Sequence, residues 1–405
     1  MSDLIARNFP RETAFLKALV RVPSDNPPGD CAPHAEAAAK LLTKLGFKVE
    51  RHKVPRALVE QHGMKSVTNL VVRQKFGKGK GPVIALNAHG DVVPPGEGWK
   101  VDPYGAVEKD GAVYGRGAAV SKSDFATYAF ALLALKAEPR GLEGAVELHL
   151  TYDEESGGFV GPKWLLDKKI TKPDFAFSAG FSYAIVTAHN GCLHLEITVN
   201  GKQAHAAMPE SGADALEATS LVLRELYRER ARLARRRSKI GGIGSAKLTV
   251  GLISGGINTN VVPDKVVLRV DRRVIPEEDG AEVERQLQEQ VRAAVRGRTG
   301  ISVDVRRILL AEPLRPADGI DRLVRPLQAN AERVLKMPIE TKGVPLYTDA
   351  RHYSARGIPT VLYGAGPRTI LEANAHAANE HIKLSDLRAA TEVITATLRD
   401  LLGKS

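Results

Sequence analysis

The stretch "PVIALNAHGD", residues 82–91, constrains this chain more than any other. From Val83 to Ala88 it is apolar at nearly every position, with no polar alternation. A strand of that kind needs cover on both faces, which an α/β sheet flanked by helices provides. It also ends abruptly in His-Gly-Asp, so ionisable groups follow the carboxyl end of the strand, where open α/β sheets place their ligands.

The neighbouring segments agree. "NLVVRQKF" and "AVELHLTYDEE" read as further strands, and "APHAEAAAKLLTKLG" reads as an amphipathic helix stopped by Gly46. Near residue 191 the period changes. In "LHLEITVNGK" Leu193, Leu195, Ile197 and Val199 alternate strictly with polar residues, the mark of a strand with one wet face. A long helix (about 214–237), the strands "KLTVGLIS" and "DKVVLRVDRRV", a second helix (277–296) and "ISVDVRRILL" follow. The order β-α-β-β-α-β predicts an inserted α+β domain of ferredoxin-like type. After about residue 310 helix and short strand alternate again, and a helix over 384–402 closes the chain. With 405 residues, more than one hydrophobic core serves, the expected division is 1–190 with 310–405 and, inserted, 191–309.

Composition excludes some functions. The 43% hydrophobic and 26% charged residues are ordinary for a globular chain. The longest strongly apolar run, Phe125–Leu135, falls short of the roughly 20 residues needed to cross a bilayer, so no membrane association is expected. The N-terminus lacks a basic-then-apolar leader, and the expected location is cytoplasmic. The formal charge of +11 raises nucleic acid as a partner, but the dense basic run, Arg224–Lys239, interleaves glutamates with apolar residues at helical spacing. It reads as a solvated helix face, and no nucleic acid is expected. Only two cysteines occur, Cys31 and Cys192, without CxxC or Cys/His zinc spacing, so neither a disulfide framework nor a thiolate metal site is expected.

Two clusters carry chemistry. In His89-Gly-Asp91 the imidazole can bind a metal while the carboxylate fixes its ring; an ordinary hydrogen-bonded turn is the alternative. Glu154 and Glu155 are adjacent carboxylates after another strand. If they point apart, one can ligate a metal while the other acts on its water; an acidic turn is the alternative. His376 in "EANAHAANEHI" is separated from Glu380 by three residues rather than two, which departs from the inverted zincin motif.

Six segments in order, "LNAHGDVVP", "GRGAAVSK", "TYDEESGG", "GKQAHAAMPESGADA", "GGINTNVVPD" and "NAHAANEHI", resemble the metallopeptidase family of aminoacylase, acetylornithine deacetylase, succinyl-diaminopimelate desuccinylase and carboxypeptidase G. The resemblance covers nearly the whole chain. It implies a mixed-sheet catalytic domain of zinc-peptidase type, with the inserted ferredoxin-like domain serving as lid and dimerisation domain, hence a homodimer. It implies hydrolysis of an amide bond in a small carboxylate-bearing substrate such as an N-acyl amino acid or a dipeptide. By motif position, His89 would ligate the first of two metals with Asp91 behind it, and Glu155 and His376 the second. Glu154 would be the general base. His205 would reach across the dimer to the developing oxyanion, while Asn260 and Arg351 would bind substrate.

Two positions depart from the pattern. The aspartate that bridges the metals in the family falls at Val120, and the next carboxylate ligand falls at Gly180. Asp124, the candidate to replace the lost carboxylate, lies one helical turn past Val120, which sets it on the helix rather than in the bridging loop; the other reading is a charge near a helix N-terminus. The expectation is therefore a single divalent ion per chain, zinc first, with manganese or cobalt as alternatives, held by His89, Glu155 and His376. The competing reading is a catalytically degenerate member that binds a small molecule. A serine hydrolase is not indicated, because no G-x-S-x-G occurs.

Overall fold

A computed structural model describes residues 2–369 and 371–403. They form two compact units, unit 1 from residues 1–187, 316–342 and 348–405, and unit 2 from residues 188–315 and 343–347. The first segment of unit 1 carries α1 (Ser2–Val20), α2 (Ala32–Lys44), β1 (Val49–Lys53), α3 (Arg56–Gln61), β2 (Thr68–Phe76), β3 (Val83–His89), β4 (Val107–Lys109) and β5 (Ala112–Tyr114). It continues through α4 (Lys122–Ala137), β6 (Gly144–Thr151), α5 (Pro162–Asp167) and β7 (Phe175–Ser178), and β8 (Ala184–His189) runs past its last residue, Thr187. Next come β9 (Gly191–Asn200), α6 (Ala215–Leu233), β10 (Lys247–Gly255), β11 (Lys265–Val274), α7 (Gly280–Ala294) and β12 (Ser302–Ala311). The chain ends with α8 (Asp321–Leu335), β13 (Glu340–Val344), α9 (Ala350–Ser354), β14 (Thr360–Leu362), β15 (His381–Lys383) and α10 (Leu384–Leu402).

The large sheet is eight-stranded and mixed, in the order β1-β2-β6-β3-β7-β14-β8-β13. Strand β3 runs parallel to β6 and β7, whereas β2 is antiparallel to β1 and to β6. Strand β3 is buried throughout except Val83, and β6 is buried along its whole length. Leu86, Leu148 and Leu150 share one core with Leu16 of α1, Phe125 of α4 and Ile394 of α10. Helix α4 is buried on nearly every side, as its unbroken apolar sequence requires. Two polar residues of β6 are tolerated inside because they are paired. Burial opposes a charged Glu147, but His149, Thr171 and Arg73 surround it and hold its pKa at about 2. A separate three-stranded sheet, β15-β5-β4, lies in the same unit.

Unit 2 is an antiparallel sheet in the order β10-β11-β9-β12 with two helices, the ferredoxin-like arrangement. Leu193, Leu195 and Ile197 pack with Val222 and Leu226 of α6 and Leu287 of α7. The alternate residues, Cys192, His194 and Glu196, take the opposite face of the sheet. The basic run falls on the second half of α6 and the turn after it, where Arg228 and Arg232 pair with Glu225 and Glu229. Among the described residues no helix is long and apolar enough to cross a membrane.

Candidate active site

Parallel pairing of β3 with β6 places His89 opposite Thr151, so the residues that follow both strands emerge at one edge. After β6, Glu154–Ser156 form a single 3₁₀ turn. Asp91 organises this edge. Its Oδ1 accepts the backbone N–H of Glu154 at 3.2 Å, and its Oδ2 accepts that of Glu155 at 3.1 Å and the Asn26 side-chain amide at 3.0 Å. His89 Nδ1 lies 3.0 Å from the Asp91 carbonyl and 3.4 Å from its Oδ1, leaving Nε2 to face Glu154 Oε2 at 4.0 Å. Asp153 is directed elsewhere and accepts the Val160 N–H at 2.6 Å.

His89, Glu154 and Glu155 thereby offer one ligand atom each within 4.8 Å of one another. His376 joins through Glu155, with Nε2 to Oε1 at 3.2 Å. That contact is short but is not aligned as a hydrogen bond, so the buried Glu155 Oε1 has no donor. A buried carboxylate oxygen without a donor, facing the His376 imidazole nitrogen in a cluster that includes His89, is what a cation of the zinc, manganese or cobalt class would satisfy. The residues present fit such an ion. His376 adopts φ +62°, in the left-handed region that non-glycine residues seldom occupy outside constrained sites.

The electrostatics follow from crowding negative charge in a partly dry edge. Burial works against a charged His89, but Glu154 foremost, then Asp91 and Glu155, outweigh it and hold its pKa well above the ordinary value. Burial raises Glu154 to about 8, against the pull of His89 and reinforced by Glu155. The Glu155 carboxylate raises the half-exposed His376.

Position 120 has a defined environment. The Val120 N–H and the Ala119 N–H both donate to Glu380 Oε1 at 3.1 Å, and Arg116 donates to Glu380 Oε2 at 2.6 Å, the pair being almost fully buried. The Val120–Ser121 peptide is cis. Asp124 is spent on the interior, accepting the Ala365 N–H at 2.8 Å, and does not belong to the ligand cluster. At Gly180 a Cβ would lie 2.8 Å from Leu362 Cβ and 2.9 Å from the Tyr363 nitrogen, so a side chain there would run into β14. Arg351, on α9, donates to the Gly157 carbonyl and stacks over Phe159 at 5.4 Å.

The remaining two candidates sit in unit 2, next to each other. The Ala206 N–H donates to the Asn260 carbonyl at 3.0 Å, and His205 bridges Val261. Both side chains are exposed. Sequence reasoning overlooked Asn26, Arg116 and Glu380. All three lie within the segments that carried the family resemblance or in the N-terminal "PSDNPP", but their partners are far away in the chain.

The family model described as peptidase family M20/M25/M40 matches residues 85–400. A succinyl-diaminopimelate desuccinylase of Sulfurimonas denitrificans is 28% identical over 350 residues, covering 82% of this chain and 87% of that protein. Aminoacylase-1 of Mus musculus is 28% identical over 338 residues, covering 79% and 80%. A solved structure from Bacillus subtilis, described as a dinuclear metal-binding peptidase of the M20 family, superposes with a TM-score of 0.71 at 16% identity, covering 98% of this chain and 99% of that one, a likeness of fold. With more than three quarters of its length inside the family model and the ligand-type residues gathered at one sheet edge, this chain belongs to peptidase family M20/M25/M40 and is an amide hydrolase of that family.

Proposed function

We propose that this enzyme hydrolyses the amide bond of a small carboxylate-bearing substrate, an N-acyl amino acid or a dipeptide, with one divalent ion per chain, zinc first. His89, Glu155 and His376 would hold the ion. The observation that carries this is the buried Glu155 Oε1, without a donor and 3.2 Å from His376 Nε2, beside His89 and Glu154. Val120 supports a count of one, because no carboxylate stands at the bridging position. Two cations about 3.5–4 Å apart repel strongly when nothing anionic lies between them.

When bound, a divalent cation polarises the scissile carbonyl and brings the pKa of water down toward about 7. Glu154 takes the proton of the attacking water and returns it to the leaving amine. Asp91 fixes the His89 ring and the two glutamate N–H groups together, so that the acid/base carboxylate and the ligand carboxylate are presented from one anchored turn. His205 donates to the developing oxyanion, Asn260 positions the substrate and Arg351 receives its carboxylate. We assign His205 to a neighbouring copy. Strand β10 is an edge of the unit 2 sheet and exposes Leu252 and Ile253 at 63% and 53%, with Ile257 beyond it at 70%. An apolar sheet edge of this kind favours pairing with a second chain.

The test is metal content per chain after purification without chelator, combined with hydrolysis assays on N-acyl amino acids and dipeptides. One ion at this site, counted in a Cys192→Ser background so that no thiolate ligand contributes, and zinc-restorable hydrolysis are expected. Two ions at full occupancy in that background would refute the single-ion assignment. Absence of both metal and activity would favour the degenerate, ligand-binding reading.

A further inference from the structure

A second set of metal-type ligand atoms converges in unit 2. Cys192 and His194 occupy alternate positions of β9, so both side chains take the face of the sheet opposite α6 and α7. Asp271, on the adjacent strand β11, stands directly across from His194. His194 Nε2 lies 3.1 Å from Cys192 Sγ and 3.0 Å from Asp271 Oδ2, and the sulfur is 3.7 Å from that same oxygen. We propose that Cys192, His194 and Asp271 form a binding site for a zinc-class divalent cation, separate from the amide-hydrolysis site and with its fourth position open to solvent.

The geometry supports the assignment. Around a tetrahedral zinc at ordinary bond lengths, sulfur, nitrogen and oxygen ligands stand about 3.3–3.6 Å apart. The observed 3.0, 3.1 and 3.7 Å require adjustments of about half an ångström or less. Hydrogen bonding alone uses the triangle poorly. A single imidazole nitrogen faces both the sulfur and the oxygen, carries at most one proton and cannot donate fully to both. A cation at the centre engages all three lone pairs together. A Cys-His-Asp catalytic relay is excluded by the same contact, since it requires the two partners on different ring nitrogens.

Charge and surroundings fit. A thiolate and a carboxylate balance a doubly charged ion, and the thiol proton passes to solvent on binding. Arg273 Nε donates to Asp271 Oδ1 at 3.0 Å, orienting the carboxylate so that Oδ2 points at the imidazole. Cys192 is fully buried, while the His194 and Asp271 side chains are 36% and 30% exposed, so an ion can enter from their side. Such an ion would clasp β9 to β11, the two central strands of the sheet, within a few residues of where unit 2 begins.

Cobalt(II) added to the metal-stripped, thiol-reduced full-length protein provides the test. Thiolate ligation gives an intense near-ultraviolet charge-transfer absorption that an imidazole and carboxylate site cannot produce. The chain has only one other cysteine, Cys31, which lies in unit 1. The expected result is a band whose full intensity corresponds to one thiolate-bound cobalt per chain and is reached by about two equivalents of added cobalt, the hydrolysis site taking the other; it is lost in Cys192→Ser and retained in Cys31→Ser and in Glu155→Gln. His194→Gln and Asp271→Asn, both at partly exposed positions, should weaken cobalt binding at this site about tenfold or more. No band in the wild-type protein at millimolar cobalt would overturn the proposal. So would a band that survives Cys192→Ser, or His194→Gln and Asp271→Asn variants that bind as tightly as wild type.

Discussion

Glu12 lies on α1, is 1% exposed, and accepts a hydrogen bond of 2.5 Å from the Thr391 hydroxyl of α10. Burial pushes its pKa up to about 8 from the ordinary 4.5, and the Thr391 bond recovers only part of that. Below pH 4.5 the folded and unfolded chains both hold the proton, and Glu12 has no pH-dependent effect. As pH rises toward 8 the unfolded chain releases a proton that the folded chain keeps, so unit 1 loses about 1.4 kcal/mol per pH unit. The loss reaches about 5 kcal/mol near pH 8 and then levels off. Glu12→Gln keeps an oxygen for Thr391 and removes the titration. The variant should match wild type at pH 4.5 to 5 and exceed it by several kcal/mol, up to about 5, at pH 8. Urea unfolding followed by tryptophan fluorescence reads this directly, because Trp99 and Trp164 are the chain's two tryptophans and both lie in unit 1. A difference between variant and wild type that stays flat from pH 5 to 8 would show that Glu12 is ionised in the folded state, and the reasoning would fail.

Glu154→Gln should lower turnover by about 10²–10⁴-fold with metal content unchanged; loss of metal in that variant would exchange the roles of Glu154 and Glu155. His205→Ala should reduce turnover by roughly 10²-fold or more while leaving metal bound, and sedimentation at micromolar concentration should show a dimer. An unchanged rate would remove His205 from the mechanism, and a monomer would remove the cross-subunit assignment. Val120→Asp in a Cys192→Ser background should raise metal content above one ion per chain. Gly180→Ala should destabilise the protein by about 1–3 kcal/mol, since its Cβ would meet Leu362; a neutral effect in urea unfolding would mean that β14 yields there.

Much of the fold was legible because the burial patterns are strong. The unalternating β3 and strictly alternating β9 revealed their different surroundings, and α10 spans the expected residues 384–402. Helix α1 escaped notice because Pro10 and a polar stretch interrupt its period. Strands β4, β5 and β15 are three residues each, too short for any period to show. Strand β8 runs into β9 with one residue between them, so the two read as a single apolar stretch. At the site, local spacing exposed His89 with Asp91 and Glu154 with Glu155, whereas His376 required the family resemblance. The Arg116–Glu380 pair spans 264 residues, and Asp271 meets His194 across 77. No local pattern encodes contacts of that range. Nor does the sequence reveal that a side chain at Gly180 would meet Leu362 of β14.

The clasp that Glu380 makes around the turn at Ala119 and Val120 bears on how this enzyme can change over generations. Both backbone N–H groups and the Arg116 guanidinium are fixed by a carboxylate from a distant loop, through main-chain atoms that every residue except proline supplies. The conformation of the turn is thus held independently of the side chain at 120. One substitution there can remove or restore an acidic group while the surrounding loop stays in place, so that, on the metal count proposed above, the number of ions would be open to change by point mutation without loss of the fold.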